Sequence, residues 1–231
     1  MTTDETLTPE RKLEDVRIRL SVRLNYIIFP IDGFKLIDAF RRAGYVLLTP
    51  PPPRPIVRGA MLEFRGPIAQ KGENIIDGNF DRGFLGVEGS SYESAIRGFN
   101  ELGELIKGNF GIDLDEGARF YEIIAKFDVD SVKNPLEAVG RVCGDDGLMA
   151  AINNILEQET SIFSVRFTSK GRVPNQEEWF DITIEPDLIK PTTTYAILVI
   201  YRSADRSKVE KFGEGLDSKI LRLIDEIERI P

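Results

Sequence analysis

The chain has 231 residues, 42% of them apolar, with 30 Lys and Arg against 38 Asp and Glu for a net charge of −8, no histidine and a single cysteine. Without imidazole there is no Ser-His-Asp or Cys-His catalysis and no histidine metal site, and Cys143 alone supports neither an internal disulfide nor a structural zinc. The acidic balance argues against a general affinity for phosphate backbones, and no apolar run approaches the ~18–20 residues that cross a bilayer.

Residues 1–15 form a polar amino-terminal segment, acidic over 1–10 and without the apolar core of a signal peptide. With the lone thiol, this leads to the expectation of a cytoplasmic protein with no membrane partner. Scarce His, Cys and Gln beside abundant Ile, Glu, Lys and Arg fit a thermophile.

From Val16 to Tyr26 apolar and polar residues alternate without a break, which predicts a strand with one buried and one wet face. Over 34–43, Leu36, Phe40 and Ala43 fall on one helical face and Gly44 closes the segment, predicting a short amphipathic helix. Strand-like runs follow at 45–49, 61–65, 74–76 and 84–88, separated by Pro and Gly. Ser90 and Glu93 then have the spacing of a capping box ahead of a helix whose stripe is Tyr92, Ile96, Phe99, Gly103 and Ile106.

A second opening strand is predicted over 120–129. Asn134-Pro135 supplies a cap and a first-turn proline for a helical stretch with Leu148, Ala151, Ile152, Ile155 and Leu156 as its apolar face. Strands are expected at 162–168, 180–185 and 195–202. Val209, Phe212, Leu216, Ile220, Leu223, Ile224 and Ile227 form a closing helix behind an Asp205 cap, with Gly213 and Gly215 placed to break it in two.

The order strand, helix, strands, helix therefore reads twice, over 16–111 and over 112–231. The expected fold is α+β: a curved antiparallel sheet with helices on one face, made of two pseudo-symmetric halves that share the sheet in one compact unit. A chain of this length can bury about 70% of its unfolded surface in such a core.

Arg17, Arg19 and Arg23 share the wet face of the first strand, and Arg65 and Arg166 have the phase to join them. Guanidinium forks suit phosphate and carboxylate, so these residues are candidates for anion or nucleic-acid binding. Glu63, Glu122, Asp181 and Glu185 have the same phase and can neutralise them by cross-strand pairing.

Asp77, Asn79, Asp81 and Glu88 stand at the first, third, fifth and twelfth positions of a calcium-loop spacing, although Arg82 occupies the place of its turn glycine. The competing interpretation is a hairpin turning at Asp81-Arg82-Gly83. Asp128 and Asp130 form a second acidic pair at a strand end, and Gly144-Asp145-Asp146 a third acidic motif in a polar turn. The run from Pro50 to Pro55 is a stiff connector or a polyproline ligand. No Gly-rich phosphate loop of either common kind is present.

The segment Gly83-Phe84-Leu85-Gly86-Val87-Glu88-Gly89-Ser90-Ser91-Tyr92-Glu93, a strand and small-residue turn leading into a long helix, is followed by Gly108-Asn109-Phe110-Gly111 and a new strand. With the doubled order of elements, this resembles the duplicated saddle of the TATA-binding protein family. The resemblance implies helices on the convex side of a curved sheet, and minor-groove binding through a concave apolar face with wedging phenylalanines. In this sequence that face carries Arg17, Ser21, Arg23, Glu63, Lys126, Arg166 and Thr183, so no DNA-contacting residue is carried over.

The expected function is non-catalytic binding through the exposed sheet face or adjoining loops, with a protein partner or a second copy ahead of RNA or DNA and no cofactor. A carboxylate-metal enzyme is the alternative. A small-ligand pocket between sheet and helices, beside Trp179 or a tyrosine, is a third possibility.

Overall fold

The computed structural model describes residues 11–26, 31–48, 64–142, 146–173 and 176–230. Their strands are β1 (Leu13–Leu24), β2 (Val46–Leu47), β3 (Arg65–Lys71), β4 (Asn74–Asn79), β5 (Phe84–Gly89), β6 (Ala118–Asp130), β7 (Val165–Thr168), β8 (Trp179–Pro186) and β9 (Thr194–Ser203). Their helices are α1 (Gly33–Arg42), α2 (Tyr92–Phe110), α3 (Pro135–Arg141), α4 (Asp146–Leu156), α5 (Arg206–Gly213) and α6 (Leu216–Arg229). The strands join one antiparallel sheet in the order β2-β3-β4-β5-β1-β6-β9-β8-β7.

The two-residue period of the strands separates the faces of this sheet. On one side, Ile18, Leu20 and Val22 of β1 stand beside Ile123, Ala125 and Phe127 of β6 and Val199 of β9, all at most 1% exposed. Helices α1, α2, α3, α5 and α6 add Phe40, Phe99, Val139, Val209 and Ile224 to the same buried cluster. The other side of β1 carries Arg17, Arg19, Ser21 and Arg23, and among the described residues no helix adds core residues there, which makes it the open face of the sheet.

Local signals placed the helices well. Asn134 accepts the Leu136 amide at 3.1 Å ahead of Pro135. Asp205 accepts the Ser207 amide at 2.9 Å. Gly215, with φ of 63°, separates α5 from α6, because the left-handed region is open to glycine at little steric cost.

The cap of α2 is a correction. Ser91, in extended backbone, accepts the Ser94 amide at 3.1 Å, whereas Ser90 turns away and donates to Glu73. Edge strands also differ from expectation. The predicted strand over 45–49 shrinks to β2, and residues 61–63 of the one over 61–65 lie outside the described residues, with Glu63 among them. Pro50 to Pro55, Gly144 and Asp145 also lie outside them. Strand β3 was missed because Gly66-Pro67 reads as a breaker; a register shift between Pro67 and Ala69 accommodates the proline in the sheet.

The helical stretch after Pro135 divides into α3 and α4, and the apolar stripe expected on α4 is not core. Ile155 is 78% exposed and Leu156 58%, and no α4 residue joins the buried cluster.

Candidate functional site

Backbone pairing assembles one polar site at the centre of the open face. Gly86 of β5 and Glu122 of β6 both stand opposite Ser21 of β1, while Phe84 and Phe120 both stand opposite Arg23. Farther out, Asp77 pairs with Gly86, Asn79 with Phe84, Arg202 with Glu122 and Trp179 with Arg202. Small residues make the floor. Ser21 is buried and donates to the Glu122 carbonyl at 3.4 Å, and a Cβ on Gly86 would come within 2.6 Å of the Ser21 Cβ and 2.9 Å of the Leu20 carbonyl. Longer side chains rise around this floor and enclose a cavity of about 580 Å³, with Arg82 closing the side at the β4–β5 turn.

Glu122 is 4% exposed, so its charge needs partners. Arg202 supplies two, donating to Glu122 Oε2 from Nε at 2.9 Å and from Nη2. Arg202 also lies over the Phe120 ring at 4.2 Å and the Trp179 ring at 5.6 Å, and donates to the Gln176 carbonyl at 3.3 Å. Arg19 donates to Asp77 Oδ2 at 2.8 Å and approaches Glu122 Oε1 at 3.8 Å. These two guanidiniums and two carboxylates neutralise one another.

Arg23 and Arg82 remain. Arg23 packs over Phe84 at 5.6 Å and Phe120 at 5.9 Å, and among the described residues neither arginine's side chain is in an ion pair or a hydrogen bond. The cavity therefore keeps two uncommitted positive charges in a chain whose net charge is −8.

Of the arginines singled out from sequence, Arg19 and Arg23 line this cavity. Arg17 shares their face, opposite Lys126. Arg65, at the start of β3, pairs with Asp81, and Arg166 on the edge strand β7 holds Asp181 from Nε at 2.7 Å. The five share one sheet surface but do not form one cluster. Arg82, Arg202, Phe84 and Phe120 were missed. Arg202 has the parity of Leu198 and Ile200, whose apolar character disguised that side of β9 as core.

The acidic candidates are dispersed. Asp77 is held by Arg19, Asn79 accepts the Arg82 amide at 3.1 Å and caps the 3-10 turn Phe80–Arg82, Asp81 pairs with Arg65, and Glu88 stands opposite Arg19. Gly83, at φ of 65°, completes a hairpin turn there. Among the described residues no three Asp, Glu or Cys side chains form a group that could hold a metal ion.

Asp128 and Asp130 lie on the open face at the far end of β6. Burial, then Asp187 and then Asp15 on a β1 bulge, raise the Asp128 pKa above its ordinary 3.8. A carboxyl with a raised folded-state pKa favours folding when protonated, and that contribution disappears as pH rises through the raised value. Asp128→Asn is therefore expected to stabilise the protein at pH 7, the gain fading as pH falls through that value and vanishing below about 3.8. Denaturant melts of both proteins between pH 3 and pH 7 test this; a gain independent of pH contradicts it.

A second cavity, of about 630 Å³, lies on the helix side, where Ile96 and Leu105 of α2 face Tyr45 and Lys71. Tyr45 is the tyrosine in its lining. Trp179, in contrast, is on the open face. Among the described residues no helix is long and apolar enough to cross a membrane.

No protein-family model matches the chain, and no curated protein or solved structure is significantly similar to it.

Proposed function

We propose that the protein is a non-catalytic binding protein that takes an anionic ligand on the open face of a saddle made of two related halves. The observation that carries this reading is the pair Arg23 and Arg82, two guanidiniums that have no anionic partner among the described residues, beside a cavity whose other charges are balanced by one another. Guanidinium forks favour phosphate or carboxylate oxygens, and here the half-buried Arg23 and the exposed Arg82 both line the cavity. The sheet order supports the two-halves reading. Outward from β1 come β5, β4, β3 and the two-residue β2, and outward from β6 come β9, β8 and β7, so each half contributes its first strand to the centre and places its last strand beside it, with β2 an extra edge strand of the first half.

Calorimetric titration with inorganic phosphate and pyrophosphate at low salt tests the proposal. Binding is expected, weaker at higher salt, and Arg23→Ala/Arg82→Ala is expected to reduce affinity at least ~10-fold, since a hydrogen bond to a charged group contributes about 1.5–3 kcal/mol. Unchanged affinity in the double variant, or no binding by the parent, ends the proposal. The carboxylate-metal alternative lacks comparable support, because Asp77 and Asp81 are bound to arginines and among the described residues no three acidic side chains form a group that could hold a metal ion.

A second reading, a protein partner or another copy of the chain, is favoured by one separate observation. The α4–β7 segment exposes Ile155, Leu156, Phe163 and Phe167, and β7 is an edge strand. The parent is then expected to sediment above its 26.0 kDa monomer mass. Ile155→Glu should return it to monomer while shifting stability by less than about 0.5 kcal/mol. A monomeric parent removes the self-association form of this reading.

A further inference from the structure

We infer that the cavity on the open face accepts a nucleoside 5′-phosphate, its phosphate between Arg23 and Arg82 and its base on the ring of Phe84. This rests on the anion-binding reading above and adds the chemical class of the ligand. A lone phosphate would occupy a small part of about 580 Å³, whereas a volume of that size is ordinary for a pocket that encloses a drug-sized molecule.

The lining also has components that an inorganic anion would not use. Phe84 is half-buried, forms part of the wall, and is held by an edge contact with Phe120 at 5.7 Å between centroids and 65° between planes. Such a fixed ring is a stacking surface for a planar base. The Arg23 guanidinium lies over one face of the ring, 5.6 Å from the Phe84 centroid, so the base takes the opposite face and the ring and phosphate contacts are a few ångströms apart.

Polar groups on β4 complete the fit. Asn79 uses its Oδ1 on the Arg82 amide, which leaves the Nδ2 hydrogens for an acceptor on the base. Asp77 is bonded to Arg19 through Oδ2, and Oδ1 remains to accept from an exocyclic amine. These residues are two apart on one face of β4, so a donor and an acceptor point into the same space as the ring, the arrangement that reads the edge of a nucleobase rather than a sugar alone.

The chemistry is shared by a free nucleotide and by the 5′-phosphorylated end of a single strand. Titrations at one low salt concentration would compare inorganic phosphate, ribose 5-phosphate, the nucleoside 5′-monophosphates, and a short single-stranded oligonucleotide with and without its 5′-phosphate. At least one monophosphate is expected to bind ~10-fold or more tightly than ribose 5-phosphate, in line with the effect of one stacked base. Phe84→Leu should erase that advantage while reducing inorganic phosphate affinity far less, whereas Arg23→Ala/Arg82→Ala should weaken every ligand.

A 5′-phosphorylated strand that matches the monophosphate, with its unphosphorylated twin much weaker, identifies a strand end as the source. A strand excluded in both forms identifies the free nucleotide. Monophosphates no tighter than ribose 5-phosphate overturn the nucleotide assignment but leave the anion reading intact. Failure of phosphate itself to bind overturns both.

Discussion

Glu122→Ala is expected to reduce folding stability by about 3–5 kcal/mol, the range for breaking a buried ion pair from one side. The loss is large because of what stays behind. Arg202, with its side chain only 12% exposed, would keep its charge between Phe120 and Trp179 after losing two hydrogen bonds to the carboxylate. Arg19 would still hold Asp77, so the damage centres on Arg202. Glu122→Gln keeps the shape and one acceptor and should cost less. Glu122→Leu combined with Arg202→Met should cost less than the sum of the two single changes, because neither partner is then left charged and alone. Urea unfolding of the four proteins gives the coupling energy. A loss below about 1 kcal/mol for Glu122→Ala would mean that Arg202 finds solvent without its partner.

Phe99→Ala is expected to cost about 3–5 kcal/mol, as for other fully buried aromatic truncations. Phe99 of α2 is 1% exposed, meets Tyr121 of β6 edge-on at 6.4 Å, and lies 5.5 Å beneath the Arg206 guanidinium of α5. It thus joins a helix from residues 16–111 to a strand and a helix from 112–231. Tyr92 adds a second tie, donating to the Glu210 carbonyl at 3.0 Å, and Arg206 a third through Asn100. Because these contacts bridge the two segments under one sheet, the variant should unfold at lower denaturant in a single transition. Two separated transitions, with only one segment affected, would show halves that fold independently.

The candidate site was only partly legible. Alternation along β1 identified Arg19 and Arg23 as residues of a wet face, and the phase of Glu122 and Asp181 identified partners of the right sign. The assigned pairs follow register, however. Asp181 answers Arg166 across β7–β8, while Glu122 is shared by Arg202 and Arg19 across two different strand pairs. Arg202 was overlooked because its strand is apolar on both sides. The stripe on α4 was misread because periodicity reports that a helix has an apolar side, not that something covers it.

What the sequence determined alone was local: where strands alternate, where Asn134, Asp205 and Gly215 begin or end helices, and that imidazole chemistry is absent. Side-chain direction in a strand and the capping of a helix end depend on neighbours a few residues away, so a short window carries them. Tertiary structure alone decided that Ser21 and Gly86 meet to make a floor, that Arg82 arrives at its edge, and that among the described residues Arg19 is matched by acids while Arg23 is not. Those outcomes depend on which strands become neighbours and in what register, and slipping a strand by one residue would turn every one of its side chains to the opposite face.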